Sequence, residues 1–354
     1  MKMSSATKRA IDRGYLAGPE WFCNFEQSEV EGLGCDDGVD RRDPSRVIKI
    51  GDTYYVYYTR SEGISQRDKA GLEGKCVPWD KAEIWYATSK DTYNWEEKAL
   101  VVPIGEKGAY DDRSVFTPEI LPANGKYYLV YQVCAGPYKL PHHEFIAIAE
   151  SDKPEGPFTK SPTPVVAPSM DGIWDENPQS YRDIDKKGGF DSLNVHDPIL
   201  FEFDNKFYLY YKGEAMGEEL AMGGRETKWG VAIAENAMGP YVKSEYNPVS
   251  NSGHETCLWK YKGGMAAYLN LDGPEKNTVQ FAEDGVNFEI KSVIPAEPPK
   301  AMGPFMGEES FTDALDGVKW GLCHHWKNGF TYIRRFDRDD SQKLGFEARK
   351  KKNK

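Results

Sequence analysis

The chain has no CxxC pair among its six cysteines, Cys23, Cys35, Cys76, Cys134, Cys257 and Cys323. Thiols without metal-ligand spacing exclude a zinc knuckle. Six cysteines in 354 residues also make no disulfide scaffold, so buried thiols are expected. No apolar run approaches the roughly 18 residues of a membrane helix. No basic block interrupts the sequence: 45 Lys and Arg stand against 56 Asp and Glu, a net charge of −11. That balance disfavours nucleic acid as a partner. The one basic cluster is the tail over residues 346–354, expected to be solvated. The opening MKMSSATKRA lacks the apolar h-region of a signal peptide, and the compartment stays open between cytoplasm and periplasm of a bacterium.

Helical periodicity is nearly absent as well. It shows only near the start, where Ser5 fits an N-cap, Ala6, Ala10 and Ile11 share a face, and Gly14 ends the run. A short helical segment within residues 1–20 is therefore expected. What the chain does have is aromatic residues, 9 Trp, 21 Tyr and 16 Phe, enough to exclude disorder. They fall in short β-branched and aromatic strands between Gly, Pro, Asn and Asp turns.

Those strands repeat. RRDP (41–44) leads to VIKI, a GD turn, YYVYYT, EIWYATS and a segment ending at Trp95. FTPE (116–119) leads to an NGK turn, YYLVYQ, FIAIAES and EGPF. VHDP (195–198) leads to LFEF, a DNK turn, FYLYYKG, GVAIAEN and MGPY. GHET (253–256) leads to LWKY, a KGG turn, MAAYLN, VQFAED and GVNF, and a fainter fifth copy reads VKWGLCHH, NGF, TYIRRF. Four strands per unit, each outer strand with an aromatic near its end, spell a five-bladed β-propeller over residues 21–345. A β-sandwich would explain the strands but not their recurring order.

In such a fold the first strand of each blade lines a central channel. Aligned on the aromatic strands, Asp43, Thr117, Asp197 and Glu255 occupy one repeat position: Asp43 lies 11 residues before Tyr54, and Asp197 and Glu255 lie 10 before Phe207 and Met265. Three carboxylates aimed at one axis repel, which drives their pKa values apart as acid–base chemistry needs. A single DP could simply cap a turn; three at one repeat position favour chemistry. Histidines are few, and His196, His254, His324 and His325 stand beside these positions or in the fifth unit, read as an inner strand. His254 is a candidate proton donor. His142 and His143 fall in a loop expected to be solvated, although such a loop could rim the pocket. Arg41, Arg42, Arg113 and Arg225 could balance the acids or bind hydroxyls. A polar pocket with aromatic walls suits a sugar, and Trp79, Trp85, Trp174, Trp229 and Trp320 are stacking candidates, each more often core.

RRDPS, VFTPE, VHDP and NSGHE, with ATKRAIDRGY, PWDKAEIWYATS, KGAYDDRSVFTPE, YLYYKGEAMGE, MGGRE and DGPEKNT, resemble glycoside hydrolase family 117 over nearly the whole chain. These are 3,6-anhydro-α-L-galactosidases acting on neoagaro-oligosaccharides of red algal agar. The resemblance implies an inverting exo-hydrolase that releases a terminal α-1,3-linked 3,6-anhydro-L-galactose, or a related sugar, from the non-reducing end. Asp43 matches the family's general base and His254 its unusual general acid. Asp197 and Glu255 match the carboxylates that bind and polarise the sugar. Arg42, Thr117, Glu119, His196, Arg225 and Trp174 are taken as substrate-binding. The resemblance also implies a homodimer that exchanges its N-terminal helix, and a divalent cation at the propeller axis with His324 as nearest histidine; no organic cofactor is expected. The loops Cys35–Asp37, Ile64–Lys75 and Leu140–Glu144 depart from the agar-cleaving pattern. Two alternatives remain at this point: a family 43-like exo-glycosidase on another saccharide with Glu255 as acid, and a catalytically inactive sugar-binding propeller. A protein-interaction propeller would have no reason for acids at the axis.

Overall fold

The computed structural model describes residues 4–5, 21, 24–66, 74–217, 220–221, 224–294, 298–307 and 313–339. The expected N-terminal helical segment lies outside them apart from Ser4 and Ser5, as does the basic tail. The described residues form a five-bladed, all-β propeller built from antiparallel sheets.

Blade 1 runs Val39–Arg42, Thr53–Glu62, Glu83–Ser89, Trp95–Val102, with Ile48–Ile50 as a second piece of its inner strand. Blade 2 runs Ser114–Ala123, Lys126–Cys134, Phe145–Ser151, Thr159–Lys160. Blade 3 runs Asn194–Phe203, Lys206–Glu214, Thr227–Ala234, Val242–Lys243, and blade 4 runs Glu255–Tyr261, Gly264–Asn270, Thr278–Ala282, Glu289–Val293. In blade 5 the segments VKWGLCHH and TYIRRF are the second and third strands, Trp320–Lys327 and Phe330–Arg338, not the inner pair. Its inner strand is Lys300–Pro304, and its outer strand is the N-terminal Phe25–Glu29, with Phe25 opposite Arg338 and Glu29 opposite Arg334. One blade is thus made from both ends of the described chain, which closes the ring. His324 and His325 therefore stand one strand away from where sequence reading put them.

The core lies between blades rather than within one. Alternation along YYVYYT sends Tyr55 and Tyr57 into a cluster shared with blade 2, and Val56 and Tyr58 into one shared with blade 5. Three further clusters join blades 2–3, 3–4 and 4–5. The aromatic residue of each outer segment does not end its strand: Trp95 opens one, and Phe158, Tyr241 and Phe288 precede theirs. There the rings reach the preceding blade, Phe158 edge-on to Tyr57 at 6.1 Å and Phe288 to Tyr210 at 6.2 Å.

The inner strands break where they meet the channel. In blades 2, 3 and 5 the register shifts between Phe116 and Glu119, His196 and Ile199, and Lys300 and Gly303. In blade 1 the strand stops at Arg42 and resumes at Ile48. Pro44, Pro118 and Pro198 have no N–H to give a ladder and are tolerated at these bulges. The residue before each, Asp43, Thr117 and Asp197, and Ala301 in blade 5, has φ of 48–49°, a costly conformation away from glycine. Blade 4 has no such bulge: Glu255 pairs directly with Asn270. Since the bulge absorbs one residue, Glu255 holds the register place of His196, opposite Lys212, rather than that of Asp197.

Candidate active site

The four broken strand ends and the start of blade 4 converge on a cavity of about 520 Å³. Asp43, His254, Asp197 and Glu255 all line it, with Arg42, Thr117, Glu119, His196 and Arg225. Trp174 does not; it lies in a small hairpin, Ile173–Trp174 with Ile184–Lys186, its ring 6.4 Å from that of His143. Of the other stacking candidates only Trp79 lines the cavity, with the Arg42 guanidinium 4.6 Å over its ring. Trp229 is core, Trp85 carries Arg60 on its face, and Trp320 stacks on Phe305 at 4.8 Å.

Asp43 is gripped from three sides. Arg42 Nε donates to Oδ2 at 2.6 Å and Nη2 to Oδ1 at 3.2 Å. Thr117 Oγ1 lies 3.4 Å from Oδ2, and His324 Nδ1 lies 3.1 Å from Oδ1. Burial alone pushes this carboxyl up, but the charge of Arg42 and the bond to His324 outweigh it and hold Asp43 well below the usual carboxylate range. Opposite, His254 Nδ1 meets Asp272 Oδ2 at 2.8 Å. Glu255 accepts the N–H of Ala301 at 2.9 Å. Asp197 takes the buried Lys212 ammonium at 2.6 Å.

His196 is wedged between two carboxylates, with Nε2 3.0 Å from Glu144 and 3.6 Å from Glu214, outside hydrogen-bond alignment. Burial lowers its pKa, yet Glu214 and Glu144 together raise it above the ordinary histidine value. Glu214 in turn is held far below the carboxylate range: burial opposes ionisation, and His196, Arg225 and Lys212 overcome it. Arg225 donates to Glu214 at 2.6 Å.

Glu119 turns its carboxylate to Arg46 in a buried ion pair. Burial nonetheless pushes the Glu119 carboxyl up. Beyond that pair a smaller cavity of about 110 Å³ begins, walled by Arg46 and by Phe201, Leu258, Trp259 and Phe305. Glu119 lines the larger cavity and Arg46 the smaller, so the pair lies between the two.

Not every basic candidate reaches the site. Arg41 binds Asp36 and Glu97, and Arg113 binds Asp80. His142 is not solvated either: it packs between Tyr138 at 4.7 Å and Tyr181 at 6.0 Å, and His143 bonds the Leu193 carbonyl at 2.6 Å. Tyr138 and Tyr181 line the cavity, with Arg182 and Gln132, none of them singled out from sequence. Lys212 and Glu214 were within reach of sequence reading, since alternation in FYLYYKGE sends both toward one side. As for the expected cation, among the described residues no group of three or more His, Cys, Asp or Glu could hold a metal, and the Nδ1 of His324 is engaged by Asp43.

The fold and this acid-lined cavity agree with known proteins. Residues 39–181 match the model of glycosyl hydrolases family 43. No curated protein sequence matches the chain. Among solved structures it is similar to Zg3597, a family 117 glycoside hydrolase produced by the marine bacterium Zobellia galactanivorans, at 35% identity over 90% of this chain and 91% of that one, with a TM-score of 0.73. A GH43_1 enzyme from Xanthomonas citri complexed with xylose (14% identity, 87% and 89% coverage, TM-score 0.52) and the RS223 β-xylosidase (13%, 88% and 94%, 0.54) share the fold. The protein is a glycoside hydrolase of the five-bladed propeller type. Within that class, the chain belongs to glycoside hydrolase family 117.

Proposed function

We propose that the protein is an inverting exo-glycosidase that removes a terminal, non-reducing α-1,3-linked 3,6-anhydro-L-galactose, or a closely related sugar, from red algal galactan oligosaccharides. The observation that carries this reading is the cavity itself, where Asp43 of blade 1 and His254 of blade 4 meet together with Asp197 and Glu255. Family membership supports the sugar.

Asp43 is the base. Arg42 and His324 keep its carboxylate ionised and fixed in direction, so it can take a proton from a water attacking the anomeric carbon. His254 is the acid that protonates the leaving oxygen through Nε2. Asp197 and Glu255 accept hydroxyls, while Lys212 and His196 supply positive charge to the same wall. Thr117 and Arg42 position the base, Arg225 steadies the acid side, and Tyr181 and Trp79 offer ring faces to the sugar. Glu119 spends its carboxylate on Arg46 rather than on the sugar. Blades 1 and 4 are not neighbours in the ring, which leaves room for water between base and sugar, as single displacement requires. The departing residues at Leu140–Glu144 bear on the wall formed by Tyr138 and Glu144 and would tune the accepted substitution. We further propose a homodimer through residues 1–20.

The test is hydrolysis of neoagarobiose, neocarrabiose and arabinobiose, read by thin-layer chromatography. Release of the anhydro-sugar from one of the first two is expected; release of arabinose alone would instead support the family 43-like reading, which the match over residues 39–181 keeps in view.

A further inference from the structure

The chain places a second carboxylate behind His254 and goes to some expense to do so. Asp272 follows the second strand of blade 4 by two residues, the place Glu214 holds relative to Lys212 in blade 3. There Leu271 and Asp272 both adopt positive φ, 52° and 47°, followed by Gly273 at 92°. Two consecutive non-glycine residues in the left-handed region are strained. The turn is pinned by the N–H of Gly253 on the Asp272 carbonyl at 3.1 Å and that of His254 on the Leu271 carbonyl at 3.3 Å. The result is a carboxylate turned back onto Nδ1 at 2.8 Å. An ionised carboxylate only accepts, so Nδ1 carries the hydrogen. The backbone N–H of Arg225 also reaches Asp272, while its guanidinium holds Glu214. One arginine therefore braces the carboxylates behind two neighbouring histidines, His254 and His196.

We propose that Asp272 is the positioning residue of this site: it fixes His254 with Nδ1–H turned away and Nε2 facing the cavity as the atom that delivers the proton, and Arg225 holds Asp272 in place. This rests on the reading of His254 as acid. No other role suits the geometry: the Asp272 carboxylate faces a ring nitrogen rather than the cavity, which it does not line. Besides Asp272, the charged or titratable groups that line the cavity with His254 are Glu255 from its own blade, His196, Asp197, Lys212, Glu214 and Arg225 from blade 3, Arg42 and Asp43 from blade 1, and Glu119, Glu144 and Arg182. Of these, only Asp272 bonds the ring.

The experiment is nitrogen-15 NMR of the histidine ring nitrogens in wild type, Asp272→Asn and Asp272→Glu, with His254→Ala to assign the signal. Asparagine tolerates positive φ, so the Asn variant should keep the turn. Its amide can donate to Nδ1, and the His254 pattern should then switch from Nδ1–H to Nε2–H, as an asparagine behind a catalytic histidine does. With substrate, kcat should fall about 10²- to 10⁴-fold with KM within about threefold, the alkaline limb of kcat/KM should move to lower pH, and Asp272→Glu should restore part of the rate. Asp272→Gly, which relieves the strain and removes the carboxylate, should also lose kcat. An unchanged His254 ring pattern in the Asn variant would overturn the proposal. A switched pattern combined with full activity in His254→Ala would leave Asp272 as the partner of His254 but sink His254 as the acid, so the two failures are separable.

Discussion

At the scale of single residues the site is a set of charges each held by a named partner, and its pH behaviour follows from them. Asp43→Asn should cost about 10²- to 10⁴-fold in turnover with the fold intact, because asparagine accepts no proton yet tolerates the φ of 49° found there. Circular dichroism and an initial-rate assay decide it; more than half the wild-type rate in the variant would refute the base. Arg42 is what holds the Asp43 carboxyl so low, ahead of His324. Arg42→Met should therefore raise the acidic limb of kcat/KM toward the ordinary carboxylate range, with activity at about pH 4 lost in the variant and kept in wild type. If His254 is the acid, the alkaline limb disappears in His254→Ala; if Glu255 serves instead, Glu255→Gln removes it.

At the scale of elements the joint is the N-terminal strand Phe25–Glu29. It has no hairpin to its blade; five residue pairs with Phe330–Arg338 hold it, and Phe25 packs edge-on against Phe336 at 5.6 Å and lies 6.2 Å from Tyr268 of blade 4. Phe25→Ala should lower unfolding stability by about 2 kcal/mol, below the roughly 3–5 kcal/mol of a fully buried ring because Phe25 is only half-buried. Urea unfolding with an unchanged slope would measure it; no shift in midpoint would mean that the strand is dispensable to closure. The bulges are the other functional element. They leave Asp43 and Asp197 outside the ladder and turned to the axis, and where blade 4 lacks one, Glu255 reaches the cavity from a regular strand start.

For the molecule as a whole, Asp43, Glu214 and His196 each tie stability to pH. Asp43 and Glu214 have folded pKa values depressed below their unfolded ones, so their contribution is present above about pH 4 and is lost as pH falls. His196 has a raised folded pKa, so its contribution is complete below about pH 6.5 and is lost as pH rises through the folded value. Melting temperature should peak between those limits, and replacing His196 with Gln should flatten the alkaline side. The proposed chemistry makes a further whole-molecule prediction: proton NMR of the first turnover on an α-linked substrate should show the β-anomer, and an initial α-anomer would refute single displacement. Light scattering of the full chain should give a dimer mass that deletion of the first 18 residues converts to a monomer; a monomeric full chain at micromolar concentration would sink the exchange of N-termini.

The blades were legible in sequence because their information is local. Alternation in YYVYYT, small residues in FIAIAES and GVAIAEN, and tight turns between them act over a few residues and recur. The DP dipeptides likewise marked Asp43 and Asp197, and placing them with Glu255 and His254 in one cavity needed only the count between repeats. That count could not show which blade lacks a bulge, so the register of Glu255 was off by one. The inner strand of blade 5 was hidden because Ala301 stands where blades 1 to 3 carry Asp or Thr. Closure by Phe25–Glu29, the Arg46–Glu119 ion pair and the Glu144 carboxylate behind His196 join positions distant in the chain, whereas Asp272 reaches His254 across the hairpin of its own blade. Nothing local announces such partners: a buried charge is stabilised by whichever opposite charge the ring brings alongside it, and only the closed propeller decides which one that is.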